Sequence, residues 1–281
     1  MKTLFAKLMR IDRRWIFLAM GLVVGGALLS KIVFPTLEIT PDVRQAYDLI
    51  DRLPAGSPVL FAWDYDPGSQ PELYPLSGAM LRHAMRKDLK VVMMGHWPNG
   101  IPLIERQVDE IIKKEFPAKR YGTDYANLGY KSGQNVVVIT MAKSIKDAFP
   151  TDYYQTPVDS LPLLREVKSL RDCKAIVSFS AGDPGLTMWI QFAWQRFHIP
   201  VTGGCTAVSA PEFAAYLQSG QLKGLMGGMR GAAEYEVLIG RAGPASIGMT
   251  AQSLAHALIV AFILIGNIAF FASGRKKEDK Q

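Results

Sequence analysis

The sequence has few of the residues that build disulfide scaffolds or metal centres. Its 281 residues include two cysteines, too few for a disulfide-rich fold. No cluster of cysteine and histidine has the spacing of zinc ligands. The four histidines are His83, His96, His198 and His256. No Walker or dinucleotide-binding glycine motif follows an apparent strand. We therefore expect neither a metal site nor a cofactor.

Charge is missing from two long stretches near the ends of the chain. Residues 15–34 contain one charged side chain, Lys31, and residues 242–274 contain none. Each stretch supplies about 20 apolar residues, or about 30 Å of helix, enough to cross the hydrocarbon core of a bilayer. The sequence therefore predicts a two-pass membrane protein. Its predicted segments are an N-terminal tail at 1–14, a transmembrane helix at 15–34, a folded domain at 35–250, a transmembrane helix at 251–273 and a C-terminal tail at 274–281.

The formal net charge of +7 belongs to the flanks of the chain. Ten basic and three acidic residues lie outside residues 36–250, and the middle carries 22 of each sign. A neutral domain lacks the basic surface that nucleic acid requires, so we expect no nucleic-acid partner. The basic tails predict cytoplasmic termini and an extracytoplasmic domain at the plasma or inner membrane. A cleaved signal peptide is the alternative interpretation of the first stretch.

The alternation of short apolar runs with helical patterns predicts an α/β domain. Five runs indicate strands, at 59–63, 89–94, 135–141, 174–179 and 199–202. Helices are predicted between these strands, and a long helix is predicted at 222–238, near the end of the domain. Residues 121–133 are rich in Gly, Tyr and Asn and indicate a loop or small hairpin. The pattern is typical of one Rossmann-like or flavodoxin-like domain with a mainly parallel five-stranded sheet.

The two cysteines are predicted at opposite edges of this sheet. Cys173 directly precedes one strand and Cys205 directly follows the next. Opposite edges lie about 15–20 Å apart at 3.3 Å per residue. Because a disulfide needs Cα atoms within about 7 Å, the sequence predicts two free thiols.

Polar residues at the ends of the predicted strands define a candidate pocket. In open parallel sheets, ligands bind at the carboxyl ends of the strands. Lys143 follows one predicted strand, and the principal pocket residues are Asp64, Asp66, His96, Ser180, Asp183, Gly204 and Cys205.

The stretch 59–68, Val-Leu-Phe-Ala-Trp-Asp-Tyr-Asp-Pro-Gly, resembles the first motif of haloacid-dehalogenase-type phosphotransferases. The resemblance implies that one of Asp64 and Asp66 is a nucleophile and that the other transfers protons, with magnesium between them. It covers these ten residues alone. The second strand ends in Met-Met-Gly-His instead of Ser or Thr, and no later acidic pair follows an apolar strand. We therefore interpret the two carboxylates as residues that cap a turn.

Two further patterns are compatible with nucleophilic catalysis. His96 and Cys205 both follow strands, as the catalytic pair does in caspase-like proteases, although the local signatures of that family are absent. Residues 178–182, Ser-Phe-Ser-Ala-Gly, resemble a nucleophile elbow around Ser180, but the first glycine is missing and no convincing Asp-then-His order follows. A buried thiol, a histidine in a turn and a loop shaped by glycine are the alternative interpretations.

Small residues predict close contacts between helices. Gly21 and Gly25 form a GxxxG face in the first hydrophobic stretch, and His256 and Asn267 are polar residues within the second. In the domain, a glycine-rich face of the predicted 222–238 helix indicates packing against the domain or a neighbouring subunit. Its principal members are Gly224, Gly228 and Gly231.

These features predict a non-enzymatic accessory or scaffold subunit of a larger membrane assembly. Its expected partners are lipid and either other membrane-protein subunits or further copies of itself. The small-residue faces and the lack of a convincing catalytic set favour this function. One alternative is a tethered domain that binds or senses a small ligand. Another is a membrane-anchored hydrolase that uses Cys205 and His96 or Ser180.

Overall fold

The computed structural model describes residues 12–33 and 38–272. The described residues divide into two compact units, one formed by 12–33 with 247–272 and the other by 38–246. Residues 1–11 and 273–281, which contain most of the basic residues behind the predicted orientation, lie outside the described residues.

Strands and helices alternate through the domain. The strands are β1 (Pro58–Asp64), β2 (Lys90–Gly95), β3 (Tyr125–Tyr130), β4 (Ala175–Ser180), β5 (Val201–Cys205) and β6 (Leu222–Gly227). The helices are α1 (Arg13–Ser30), α2 (Pro41–Asp51), α3 (Gln70–Arg86), α4 (Ile101–Gln107), α5 (Lys113–Glu115), α6 (Gln134–Met141), α7 (Ile145–Ala148), α8 (Pro162–Glu166), α9 (Leu186–Trp189), α10 (Gln195–Phe197), α11 (Ala214–Gln218), α12 (Gly228–Leu238) and α13 (Pro244–Ala272). Helical turns of 3-10 or π type join or extend several of them: Pro98–Gly100, Val108–Ile112, Val158–Ser160, Leu170–Asp172, Ile190–Trp194 and Ala210–Phe213.

Two helices, α1 and α13, are long and apolar enough to cross a membrane. They contain 18 and 29 residues, or about 27 and 44 Å of helix. Many of their large apolar side chains are exposed, including Leu22 at 67%, Leu29 at 85% and Phe271 at 77%. The helices therefore present apolar surface that their own unit does not bury.

The domain contains a six-stranded sheet in the order β3-β2-β1-β4-β5-β6, and all of its pairs are parallel. The predicted α/β class and parallel sheet are confirmed, and the strand number changes from five to six. Strands β1, β2, β4 and β5 lie within three residues of their predicted positions. The order is that of the Rossmann fold and not that of flavodoxin.

Helices cover both faces of the sheet, which explains why its central strands are apolar without alternation. On one face Phe61, Trp63 and Phe179 form an aromatic cluster, in which the Trp63 and Phe179 ring centroids lie 5.3 Å apart. On the other face, Leu60 and Ile176 belong to the core cluster that the helices between β3 and β5 complete. Side chains of one strand thus alternate between two cores.

The prediction of a strand at 135–141 was wrong, because these residues form helix α6. Val137, Val138 and Met141 are buried at helical spacing, while Val136 is 63% exposed. A short run of β-branched residues does not distinguish a strand from a buried helix, and packing decides. Lys143 consequently follows a helix and does not lie at a strand end. The third strand is β3, which forms within the segment predicted as a loop or hairpin.

The prediction of one helix at 222–238 was also wrong, since β6 occupies its first part and α12 its second. Gly224 and Gly228 adopt positive φ angles of +94° and +58°, which interrupt a right-handed helix. Leu222, Leu225 and Met226 are buried in the edge strand that results. The glycine-rich face is therefore divided between a strand and a helix.

Candidate functional site

The strand order reverses between β1 and β4, and this switch point is the usual ligand site of an open parallel sheet. Asp64, the last residue of β1, pairs in register with Ser180, the last residue of β4. Ser180 pairs in turn with Cys205 at the end of β5. Three of the predicted site residues therefore lie along one edge of the sheet.

Asp64 is fully buried, and both of its carboxylate oxygens accept hydrogen bonds. Oδ1 accepts from the backbone N–H of His96 at 2.8 Å, and Oδ2 accepts from the indole N–H of Trp189 at 3.0 Å. Burial raises the pKa of Asp64 above its ordinary value, although the nearby His96 acts in the opposite direction. Asp64 thus joins β1 to the chain after β2 and to helix α9.

The His96 side chain lies in the same buried cluster. Its ring centroid is 5.5 Å from that of Trp189, and Nδ1 lies 3.3 Å from the carbonyl oxygen of Lys131. Its Nε2 is buried and has no hydrogen-bond partner among the described residues. His96 Nε2 is therefore a buried polar atom of this cluster that internal hydrogen bonding leaves unsatisfied.

The crevice at the switch point is bridged by the protein itself. Trp97, which follows β2, donates an indole hydrogen bond of 2.8 Å to the carbonyl oxygen of Pro184, which follows β4. A Cβ at Gly182 would lie 3.6 Å from the Trp97 ring, so the loop and the indole are in contact. Since β1 lies between β2 and β4, this contact crosses the end of β1. An indole and a loop thus meet over the end of β1, the edge at which open parallel sheets bind ligands.

No family model and no curated protein matches this chain. The fold alone does not indicate an activity, because Rossmann-like sheets serve many unrelated functions. The features of this chain that bear on function are the geometry of the switch point and the two apolar helices.

Asp66 and Ser180 form local bonds that shape loops. Oδ1 of Asp66 accepts a hydrogen bond of 3.3 Å from the backbone N–H of Ser69, as in a capped turn. The hydroxyl of Ser180 donates to the carbonyl oxygen of Gly182 at 2.9 Å, and none of the described histidine rings hydrogen-bonds to it. Across the described ranges, no group of three or more His, Cys, Asp or Glu side chains is arranged to hold a metal ion.

A small cavity of about 120 Å³ opens beside the carboxyl ends of β4 and β5. It brings together three predicted residues, Ser180, Asp183 and Cys205. Its remaining lining is Gly182, Thr187, Ser209, Glu212 and Phe213. Hydroxyls, a thiol and two carboxylates line this cavity, a composition that suits a small polar or cationic solute.

The structure does not bring Cys205 and His96 together as a catalytic pair. Cys205 ends β5 and His96 directly follows β2, and these two strands are separated by three strand spacings, or about 14 Å. Burial raises the pKa of the Cys205 thiol to about 12, so the nucleophilic thiolate is scarce at neutral pH. Cys173 lies before β4 and is likewise buried and free, which confirms the prediction of two free thiols.

Glycines of the domain lie where backbone and side chains approach closely. An added Cβ would lie within 3 Å of a neighbouring atom at each of four predicted positions: Gly204 (1.9 Å), Gly224 (2.2 Å), Gly228 (2.6 Å) and Gly231 (2.8 Å). At Gly224 the nearest atom is the backbone nitrogen of Ala46 in α2. These glycines allow contacts inside the domain.

The small residues of the long helices have open surroundings. A Cβ added at Gly21 or Gly25 would find no heavy atom within 4 Å. His256 and Asn267 on α13 are exposed. These four predicted contact residues thus lie on helix surface that is accessible within the described chain.

Two buried glutamates on α12, here called the junction carboxylates, hold the two ends of the domain. Glu234 accepts hydrogen bonds from the backbone N–H of Thr40 at 2.8 Å and from its hydroxyl at 2.7 Å. Glu236 accepts from the backbone N–H groups of Gly243 at 2.9 Å, Ala245 at 3.1 Å and Ser246 at 2.8 Å. These contacts involve the start of α2 and the first turn of α13.

Sequence reasoning missed the indoles that fill the crevice and the junction carboxylates. Trp97 directly follows His96 at a strand end, a signal that was available. For Trp189 the available signal was only a large aromatic side chain on a predicted helix. Glu234 and Glu236 gave no signal, because acidic residues on a helix are usually solvated.

Proposed function

We propose that this chain is a membrane-anchored, non-enzymatic accessory subunit whose α/β domain holds other membrane proteins or further copies of itself. In this proposal α1 and α13 span the plasma or inner membrane, the termini are cytoplasmic, and the domain is extracytoplasmic. Lipid and membrane-protein subunits are its partners.

The bridged switch point is the observation that carries the non-enzymatic assignment. Trp97 and the loop at Pro184 meet across the end of β1, and Asp64 is buried beneath them with both oxygens engaged. A catalytic carboxylate must reach its substrate, and Asp64 does not reach solvent. The raised pKa of Cys205 and the local hydrogen bond of Ser180 point in the same direction.

The exposed surfaces of α1 and α13 support the membrane and assembly parts of the proposal. Leucines exposed by more than half, such as Leu22 and Leu29, require an apolar environment around the helices. On α1 the open glycine face offers a close approach to another helix without rearrangement of the chain. Both features are those of a subunit that meets partners within the bilayer.

The assembly proposal is tested by native mass measurement of the full chain purified in mild detergent from its natural membrane. We expect a species heavier than one chain, formed with itself or with a co-purifying membrane protein. Replacing Gly21 and Gly25 by Leu should dissociate it, because the added side chains occupy the approach surface. Leu29→Phe, an enlargement at another exposed position of α1, should leave the species intact.

A monomer without a co-purifying protein would overturn the assembly proposal. The same holds for an assembly that the double glycine variant leaves unchanged, since contact through that face would then be absent. The topology has its own test: an impermeant protease added to intact cells should cleave the domain and spare both tails. Cleavage of either tail contradicts the proposed orientation.

The cavity at the ends of β4 and β5 favours a second candidate function, a tethered domain that binds a small polar ligand. Its lining by Ser180, Asp183 and Glu212 supplies hydrogen-bond acceptors around one small cavity. Screening small amines by thermal shift of the full chain tests this function. Saturable stabilisation that Asp183→Asn removes is the expected result, and its absence across the amines tested rejects the amine site.

A further inference from the structure

A second, larger cavity lies in the crossover between β3 and β4, away from the switch point. Its volume is about 420 Å³, within the range of sites for small organic ligands. Lys168 lines this cavity, and its carbonyl oxygen accepts a hydrogen bond from the backbone N–H of Ile145 at 2.8 Å. Six residues later, the backbone N–H of Lys174 donates to the carbonyl oxygen of Pro58 at the amino end of β1. The crossover thus leads to the edge of the sheet opposite the one that carries Asp64 and Cys205.

The cavity combines an apolar floor with a cationic rim. Ile145, Val158 and Leu164 form the floor, and each is at least nine-tenths buried. The rim contains three cations and one carboxylate, so its formal charge is +2 although the domain as a whole is neutral. These rim residues are Lys146, Arg165, Lys168 and Asp159, with the hydroxyl of Ser144 beside them.

The rim cations retain donors for a ligand. Lys146 pairs with Asp159 at 2.6 Å, but their side chains are 62% and 55% exposed, and such surface pairs hold weakly. Arg165 donates hydrogen bonds from Nε to the carbonyl oxygen of Asp159 and from Nη2 to that of Ser160. These bonds orient its guanidinium. Neither its Nη1 nor the ammonium of Lys168 forms a hydrogen bond or ion pair with the described residues.

We propose that this cavity binds a small organic anion that has a carboxylate or phosphate head and a hydrocarbon or aromatic body. The floor takes the apolar body, and the oriented guanidinium of Arg165 and the ammonium of Lys168 take the head. Neither half of such a ligand uses both parts of the cavity. Recognition therefore requires the head and the body in one molecule. This site is independent of the proposed assembly function.

The test measures binding to the full chain in phosphatidylcholine nanodiscs by calorimetry. Phenyl phosphate is the probe, inorganic phosphate carries the head alone, and benzamide carries an uncharged body. We expect one saturable phenyl phosphate site per chain, with both half-ligands at least about tenfold weaker, a factor equal to about 1.4 kcal/mol. Arg165→Gln and Lys168→Gln should each weaken phenyl phosphate by about tenfold.

Lys143→Gln is the matched control, because Lys143 is exposed nearby but does not line the cavity. It should keep the affinity of the unmodified chain. Three results would each overturn the proposal: no saturable binding of phenyl phosphate, equal affinity for inorganic phosphate, or equal weakening by the control variant. Unchanged unfolding temperatures of the unliganded variants establish that they are folded.

Nanodiscs that contain an anionic lipid identify the source of the head group. If a lipid head competes for the cavity, phenyl phosphate binds more weakly there than in phosphatidylcholine alone. If the natural ligand is a free solute, the affinity is the same in both. Either result supports an anion site at this cavity, provided that Lys168→Gln weakens phenyl phosphate binding by about tenfold in both kinds of nanodisc.

Discussion

Replacing Glu236 by Gln tests the role of the junction carboxylates in stability. Glu236 is 2% exposed, and its carboxylate accepts three backbone N–H bonds and one from the Ser246 hydroxyl at 2.6 Å. Its negative charge also lies at the start of α13, where the helix dipole favours an anion. Gln keeps the shape of the side chain but removes the charge and one acceptor oxygen.

The cost of this replacement follows from the bonds that change. If the Gln oxygen takes the place of Oε2, three bonds survive as neutral bonds, each weaker by about 1 kcal/mol. The amide NH₂ then faces the N–H of Ala245, which costs about 1–3 kcal/mol for an unsatisfied donor. A neutral side chain is easier to bury, and this gain offsets about 1–2 kcal/mol of the loss. The replacement should therefore lower the free energy of unfolding by about 3 kcal/mol.

Thermal unfolding of the full chain in mild detergent, followed by near-ultraviolet circular dichroism, measures the effect. For a domain of about 200 residues, 3 kcal/mol corresponds to a fall in Tm of about 6–12 °C. Glu166→Gln is the control, because Glu166 is exposed and its variant should unfold within about 1–2 °C of the unmodified chain. Equal Tm values for the two variants would refute the reasoning.

Three further perturbations test the packing and the titratable groups. Gly224→Ala should lower the free energy of unfolding by more than about 3 kcal/mol, because the added Cβ would lie 2.2 Å from a backbone atom. Gly56 has a φ of +81° but open surroundings, so Gly56→Ala should lower it by about 1 kcal/mol, and chemical denaturation measures both values. Cys173 and Cys205, with pKa values of about 12, should react with a thiol reagent at pH 8 about 10³-fold more slowly than a free thiol, and both should react rapidly after unfolding. Burial lowers the pKa of His83 below 6.5, so the unfolded chain binds the proton more tightly and stability should fall as pH decreases below 6.5; His83→Gln should flatten that profile.

Much of the sheet was predictable because a parallel sheet leaves a strong pattern in its central strands. Strands β1, β2 and β4 are buried on both faces and appear in the sequence as uninterrupted apolar runs. The edge strands β3 and β6 carry Asn127, Gly129 and Gly224, residues that usually indicate turns. Their burial depends on partners distant in sequence, which a local pattern does not contain.

Asn127 illustrates why β3 was missed. It is fully buried in the strand, where its amide donates to Glu105 at 2.6 Å and its side-chain oxygen accepts from the backbone N–H of Gly129 at 2.9 Å. The bonds offset the cost of burying the polar side chain. Glu105 lies 22 residues earlier, so the sequence pattern alone does not identify this partner.

The candidate site was predictable in position but not in its contacts. The rule that strand ends line a ligand site places Asp64, Ser180 and Cys205 along one edge, as the structure does. Whether that edge is open depends on the side chains above it. Trp97 and Trp189 arrive from loops and helices outside β1 and β4, and their positions follow from tertiary packing.

Helix α12 connects the ends of the domain to the loop beside the small cavity. Its two junction carboxylates bind Thr40 and the segment 243–246, so a displacement of the helix changes both connections. Its first residue, Gly228, lies so close to Glu72 that a Cβ would be 2.6 Å from Oε2. The same oxygen accepts the N–H of Ala207 at 2.8 Å, in the loop after β5. The loop itself is equally close, because the same Cβ would lie 2.7 Å from the Cβ of Ala207, so α12 begins in contact with both Glu72 and the loop after β5.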